Sequence, residues 1–371
     1  MKTHINIAAK VRYRIEVLED GKPVRTFPFR KNLILNTGLH ELSQRTWDEV
    51  IRYAAAGTDA TPTKRPSGNV TFTQAGTVVT ASAGFFVQED AGRLLKLDTG
   101  EEMAITSYVS GTQVNVSLSR DSAAPDPGTV WYVNQTALIA PVMRTDTYGN
   151  GGADNSVTIA DGELIRRRTF IFPARTTQVT IREVGWGWYS GLNDPLFGRD
   201  VLDGAGVPLA VGQQLKIVLE LVIAITPLSP ALLPGPFQPG GGGGQIQLEN
   251  LRYPEMVSPS KYDYNCVLSD ADTPFRAADP SEGAGSLGGN RKSVNTSRSA
   301  YVNGSYRYEH TATFTLNDGN MEGIRCVSIG WHYYDTFYPV LRVIFDNLQM
   351  KDSDHTLTLV WAISWGRILE N

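Results

Sequence analysis

The chain of 371 residues carries 34 Lys and Arg against 38 Asp and Glu, a formal charge of −4, with 41% hydrophobic but only 19% charged residues. That balance gives no electrostatic footprint for wrapping nucleic acid, since the one dense basic run is Arg166-Arg167-Arg168. Two cysteines, Cys266 and Cys326, are too few for a disulfide framework or a structural zinc site and are expected as buried thiols.

Length predicts two or three domains, and 36 Gly with 20 Pro predict many turns and few long helices. Met1 to Lys10 lacks the apolar core of a signal peptide, and no apolar run of about 18 residues occurs. The expectation is a soluble protein with no membrane insertion.

Val11 to Arg30 alternates polar and apolar residues around Asp20-Gly21, which predicts a β-hairpin. Leu42, Trp47, Val50, Ile51 and Tyr53 then recur near the helical period, predicting one helix over 38–54. Between Asn69 and Gln135, six short strand-like runs are separated by Gly, Asp, Pro or Ser, the pattern of a small inserted barrel or sandwich.

The remainder repeats itself. Thr169-Phe170-Ile171-Phe172, Val184-Gly185-Trp186, Leu196 to Val201 and Leu215 to Leu219 return as Thr313 to Leu316, Ile329-Gly330-Trp331, Val340 to Ile344 and Leu357 to Trp361, displaced by 142 to 145 residues. An internal duplication is expected. Pro227 to Gln245 between the copies holds five prolines and the run Gly240 to Gly244, the composition of a linker.

The fold class expected is all-β, with multiple β-sandwich or barrel modules and one short N-terminal helix. The segments are 1–65, hairpin plus helix; 66–136, inserted small β-domain; 137–228, first sandwich; 229–246, linker; and 247–371, second sandwich.

A search for chemistry yields no catalytic, cofactor-binding or metal-binding set. The five histidines show no ligand spacing, no Gly-x-Ser-x-Gly elbow occurs in a strand-turn-helix context, and the glycine run lacks the Lys-Ser or Lys-Thr of a phosphate cradle. Asp146, Asp154 and Asp161 fit no EF-hand loop. Glu89-Asp90 and Glu101-Glu102 sit at turns or strand ends, where a solvated turn is the plain account.

Arg199 and Arg342 occupy equivalent places in the two copies, and each is expected to hold a structural ion pair. Aromatic residues gather at Trp186, Trp188 and Tyr189 and at Trp331, Tyr333 and Tyr334. These six are the interface candidates. Trp186 and Trp188 share one side of a strand, where they either pack a sandwich core or present a subunit contact or sugar-stacking platform.

Ile181-Arg182-Glu183-Val184-Gly185-Trp186, Leu196-Phe197-Gly198-Arg199-Asp200-Val201-Leu202 and Leu209 to Ile217 resemble a pattern of tailed-phage virion and tail-fibre-like proteins. There an I-x-E-I-G strand precedes L-F-S-R-x-V-L and A-G-Q-Q-L-x-V strands; Gly198 stands here where serine is common. Asn32 to Leu39 with its helix, and Ala83 to Val116 with Asp90-Ala91-Gly92-Arg93 and the Ala104 to Val116 hairpin, resemble the same class.

The resemblance touches about half the chain. It implies a non-enzymatic tail, collar or fibre-attachment component of a virion assembled in the host cytoplasm, acting through contacts with copies of itself and other virion structural proteins. The alternatives are a receptor-recognition protein binding a host-surface glycan, or a capsid decoration protein.

Overall fold

A computed structural model describes residues 2–146, 156–160, 163–227, 244–248, 265–270, 290–318, 321–333, 336–351, 353–354 and 356–369. The fold is all-β with two short helices, and among the described residues no helix is long and apolar enough to cross a membrane.

Strand β1 (Lys2–Glu19) carries Ile7, Ala9, Val11, Tyr13, Ile15 and Val17 inward, each at most 3% exposed, with polar residues between them on the opposite face. It turns at Asp20-Gly21, both at positive φ (50° and 76°), into β2 (Lys22–Thr26). Two such residues give a turn that matches the right-handed strand twist. β3 (Arg30–Ile34) returns along β1 at Val11 to Tyr13.

The single helix expected over 38–54 is instead two, α1 (Asn36–Glu41) and α2 (Trp47–Val50), followed by β4 (Tyr53–Gly57). Thr46 causes the break. It is extended, its hydroxyl accepts from the Glu49 amide at 3.2 Å, and the Glu49 carboxylate accepts from the Thr46 amide at 2.9 Å. This capping box starts a new helix where the apolar period alone predicts continuation. Leu42, Trp47, Val50 and Ile51 are nonetheless all buried, whereas Tyr53 opens β4 and is half-buried.

The small module has eight strands: β5 (Lys64–Pro66), β6 (Phe72–Ala75), β7 (Val78–Ala81), β8 (Leu94–Leu97), β9 (Glu102–Ser110), β10 (Gln113–Val116), β11 (Ser122–Asp126) and β12 (Gly128–Trp131). They pair in the order β11-β6-β7-β10-β9-β8-β12-β5 around a core of their own that includes Phe72, Phe86, Leu95, Met103, Val114 and Val130. The two strands with no apolar signature in the sequence, β5 and β11, are short and contain proline.

The next strands are β13 (Pro141–Thr145), β14 (Val157–Ala160), β15 (Glu163–Ile171), β16 (Val179–Ile181), β17 (Glu183–Gly187), β18 (Gly198–Val201), β19 (Val207–Leu209) and β20 (Gln214–Pro227). The last group is β21 (Gly244–Leu248), β22 (Asn265–Ser269), β23 (Arg291–Arg298), β24 (Arg307–Phe314), β25 (Met321–Tyr333), β26 (Thr336–Lys351) and β27 (Leu357–Arg367).

β1 is the spine that joins them. One edge pairs antiparallel with β20 from Ile5 to Leu18. The other pairs in succession with β27 (parallel, Lys2 to Ala9), β3 and β2. The central sheet therefore runs β14-β15-β20-β1-β27-β24-β23.

A second layer holds β13-β4-β17-β18-β3, and the later strands pair as β23-β22-β25-β26-β21. Each half thus contains the same strand neighbours: β4-β17-β18-β3 and β15-β20 in one, β22-β25-β26-β21 and β24-β27 in the other.

Hydrogen bonding crosses the segment boundaries drawn on the sequence. β4 from segment 1–65 lies between β13 and β17 of segment 137–228, and one buried cluster contains Ile7, Trp47, Phe170, Phe314 and Trp365 together. The last three residues of the expected 229–246 linker, Gly244 to Ile246, belong to β21; the rest of it lies outside the described residues.

On the outer face of the central sheet, Glu220 (side chain 1% exposed) is bracketed by Arg12 at 2.5 Å and by Arg167. Burial acts to raise the Glu220 carboxyl, but the hydrogen bonds from Arg167 and Arg12 and their charges outweigh it and hold the group below its ordinary value. Cross-strand ion pairs of this kind lock register.

Thr46→Ala removes the side-chain half of the capping box at a buried position and is expected to cost about 1–2 kcal/mol. Urea unfolding should show a lower midpoint at unchanged slope.

Candidate functional site

The strongest local structure lies where the small module joins the sandwich. Chain crossings at 58–63 and 132–140 connect the two bodies, and between them lies a fully buried ion pair. Arg199 on β18 donates through Nε to Glu183 Oε2 on β17 at 2.9 Å, and both side chains are 0% exposed.

The remaining hydrogen-bonding capacity of both partners is spent on the crossings. Arg199 also donates to the Thr61 carbonyl at 3.2 Å and to Gln135 Oε1 at 2.9 Å, while Glu183 accepts from the amides of Ile139 (3.1 Å) and Ala140 (2.7 Å). A buried pair is tolerated only when satisfied in this way. Gly57 makes room for it, since a Cβ there would stand 2.4 Å from Glu183 Oε1 and 2.6 Å from the Ala140 carbonyl.

This bears out the ion pair expected of Arg199. The side chain of Arg342 lies outside the described residues. Glu183 and Arg199 are also the acid and the arginine of the two strand blocks quoted for the phage resemblance. At Gly198 a Cβ would lie 2.2 Å from Asn32 Oδ1 and 3.0 Å from the Leu33 carbonyl, so a larger residue there requires the Asn32 side chain to move.

A groove of about 380 Å³ opens nearby, where β27 ends and β3 begins along the edge of β1. Its walls come from β1, β3, Thr63, Lys64 and Trp131 of the module's attachment, and Ile368 and Leu369 after β27. Asp200 is the one carboxylate among its lining residues, and Lys10, Arg12, Arg30, Lys31 and Lys64 are the cations.

Asp200 is engaged from below. The hydroxyl of Tyr13 donates to its Oδ2 at 2.6 Å, and Arg30 Nε lies 3.7 Å from the same oxygen. Burial pushes the Asp200 carboxyl up, and the Tyr13 hydrogen bond pulls it part of the way back. Burial, then the Asp200 charge, push the Tyr13 phenol well above its usual value, so it remains a donor.

Of the six aromatic interface candidates, Trp186 and Trp188 are core residues, 0% and 5% exposed. The Trp186 ring lies 5.1 Å from that of Tyr13. They do not form a surface platform: Trp186 on β17 packs against Tyr13 of the central sheet, and Trp188, just past the end of β17, is buried in the same cluster. Tyr189, between core and solvent at 48% exposure, carries the Arg45 guanidinium 4.9 Å above its ring and accepts a hydrogen bond from it at 2.9 Å. Trp331 and Tyr333 lie on β25 with side chains outside the described residues, as does Tyr334 altogether.

The carboxylate pairs resolve differently. Asp90 is not solvated but 0% exposed, held by Arg65 at 2.5 Å and Arg93 at 2.7 Å while accepting from the Val87 amide at 2.9 Å. Its neighbour Glu89 is exposed. Glu101 pairs with Arg120, and Glu102 lies 3.4 Å from Lys96.

Both cysteines are buried and unbridged, and burial pushes the Cys266 thiol up to about 12. Among the described residues no group of three His, Cys, Asp or Glu is placed to hold a metal; Asp154 and Asp161 lie outside them. Sequence reasoning did not mark the groove, because its residues come from six separated stretches with no shared pattern.

Fold and site define an all-β protein, a sandwich pair built on one sheet with a second β-module clamped to it. Comparison with protein-family models, curated proteins and solved structures found no match.

Arg199→Met strands the Glu183 charge and is expected to cost about 3–5 kcal/mol in chemical denaturation. Adding Glu183→Leu should restore part of that loss but not all, because the Ile139 and Ala140 amides then lack an acceptor; a double variant no better than the single would contradict the account.

Tyr13→Phe removes the donor to Asp200 and is expected to cost about 1–3 kcal/mol. Because the folded-state Asp200 is raised, its ionised form is the disfavoured one, so the deficit should be largest at neutral pH and shrink as pH falls through that raised value. Denaturation across mildly acidic to neutral pH checks the sign.

Proposed function

We propose that the chain is a non-enzymatic structural subunit of a tailed-phage virion, a tail, collar or fibre-attachment component that acts through contacts with copies of itself and with other virion proteins. The observation that carries this reading is the rigid mounting of the small β-module. Two chain crossings would leave such a module free to swing, and the buried Glu183–Arg199 pair spends its hydrogen bonds on holding them.

The module so held carries Val87, Tyr108, Val109 and Leu118, each 37% to 50% exposed. Large apolar side chains on a rigid body suit subunit contact, where a stable interface buries about 800 Å² per partner. The phage resemblance of Glu183, Arg199 and residues 83–116 points the same way, and the repeated strand neighbours of the two halves support descent from an internal duplication. The glycan-binding alternative keeps only Tyr189 of its first aromatic trio, and one face of that ring is taken by Arg45.

Light scattering on the purified full chain is expected to give a ring-sized oligomer that dissociates in the Tyr108→Lys/Val109→Lys variant. A monomer at every concentration, with the variant indistinguishable from it, overturns self-assembly.

A further inference from the structure

Arg367 ends β27, and Ile368 and Leu369 run on into the joint between the sandwich and the small module. The Ile368 amide donates to the Ala9 carbonyl at 2.7 Å, which keeps the segment on the edge of β1. Leu369 is 7% exposed and packs with Leu94 and Trp131 of the module and with Leu33, Leu35 and Leu196 of the sandwich. Among the described residues, every other member of that cluster lies between residues 33 and 196, so Leu369 is the contribution of the C-terminal half.

The module reaches back to the same segment. Lys96 of β8, its side chain 12% exposed, donates from Nζ to the Leu369 carbonyl and lies 3.4 Å from Glu102 of β9. Arg367 donates to Asn36 Oδ1, and the Asn36 amide donates to the carbonyl of Val133, on the second chain crossing, at 2.8 Å.

These contacts are separate from the Glu183–Arg199 pair, whose partners on the crossings are Thr61, Gln135, Ile139 and Ala140. A body held at one place can still turn about it. Held also through β8 and β12, the module turns only by exposing a buried leucine and breaking a charge-assisted hydrogen bond. The groove of about 380 Å³ opens beside Ile368 and Leu369, so the segment has room to leave its seat without displacing the core. A short segment held by one buried side chain and a few hydrogen bonds belongs to the part of a protein that opens before global unfolding.

We propose that Arg367 to Leu369 form a strap through which the C-terminal half of the chain fixes the orientation of the small module, and whose release frees the module to turn on its two crossings. The strap continues directly from β27, which pairs with β1 and β24. A displacement of the C-terminal half therefore carries to the module without passing through the Glu183–Arg199 pair. The strap is independent of the virion reading and operates whether or not the chain assembles.

Hydrogen exchange of the full chain, followed by mass spectrometry, tests it at the amides of Asn36, Tyr132 and Leu196, which donate to the Val133, Thr63 and Thr136 carbonyls of the crossings. Leu369→Ser empties the seat. Lys96→Met removes the donor on the module side and leaves the strap residues as they are. Leu357→Ser, at the far end of β27 and 5% exposed, is the control. Thermal melts establish which chains fold, and Lys96→Met carries the test alone if Leu369→Ser does not.

In the strap variants those amides are expected to exchange at least about tenfold faster, while the β1–β20 ladder keeps its native protection. Native protection at the crossings in the strap variants that fold, or an equal loss there in Leu357→Ser, overturns the proposal.

Discussion

The buried pair of Glu183 and Arg199 is the interaction on which the arrangement of the molecule depends. It joins the β17–β18 hairpin, both chain crossings to the small module, and, through the space that Gly57 leaves, the neighbouring strand β4. A charge pair removed from water gains little by Coulomb attraction alone, because desolvation costs about as much. What it contributes is direction. Every oxygen and N–H of the pair has a defined partner, and those partners sit on segments far apart in sequence.

β1 performs the corresponding task at larger scale. Its eighteen residues hydrogen-bond to β20 along one edge and to β27, β3 and β2 along the other. The two halves of the chain therefore share one sheet and one hydrophobic cluster. The contacts of α1 and the turn after it reinforce this: the Tyr308 hydroxyl donates to the Ser43 carbonyl at 2.9 Å and the Trp365 indole to the Leu39 carbonyl at 2.7 Å. A strand that waits for partners more than 200 and 350 residues away imposes high contact order, and slow folding follows from loop closure.

Much of this was legible because strand periodicity is local. Alternation in β1, the Asp20-Gly21 turn and six of the eight module strands could be read directly, and Arg199 beside an apolar run pointed to an ion pair. The capping box at Thr46 carried a readable Thr-x-x-Glu signal, but the apolar period around it ran on without a break. Strand alternation put Trp186 and Trp188 on one face, but β17 ends at Gly187, and the burial of both required knowing what packs over them. The groove was not legible at all: Lys31, Lys64, Trp131, Asp200 and Leu369 are brought together only by strand pairing.

By itself the sequence determined the all-β class, the hairpin, the small module and the recurrence of strand blocks at nearly constant offset, because each depends on neighbours within a few tens of residues. Tertiary structure alone decided that β1 unites both halves, that Glu183 accepts the Arg199 guanidinium, that Asp90 is buried between two arginines, and that a cationic groove opens beside Asp200. Those outcomes rest on register between distant strands and on which polar groups are left to pair once water is excluded, and neither is encoded in any local pattern.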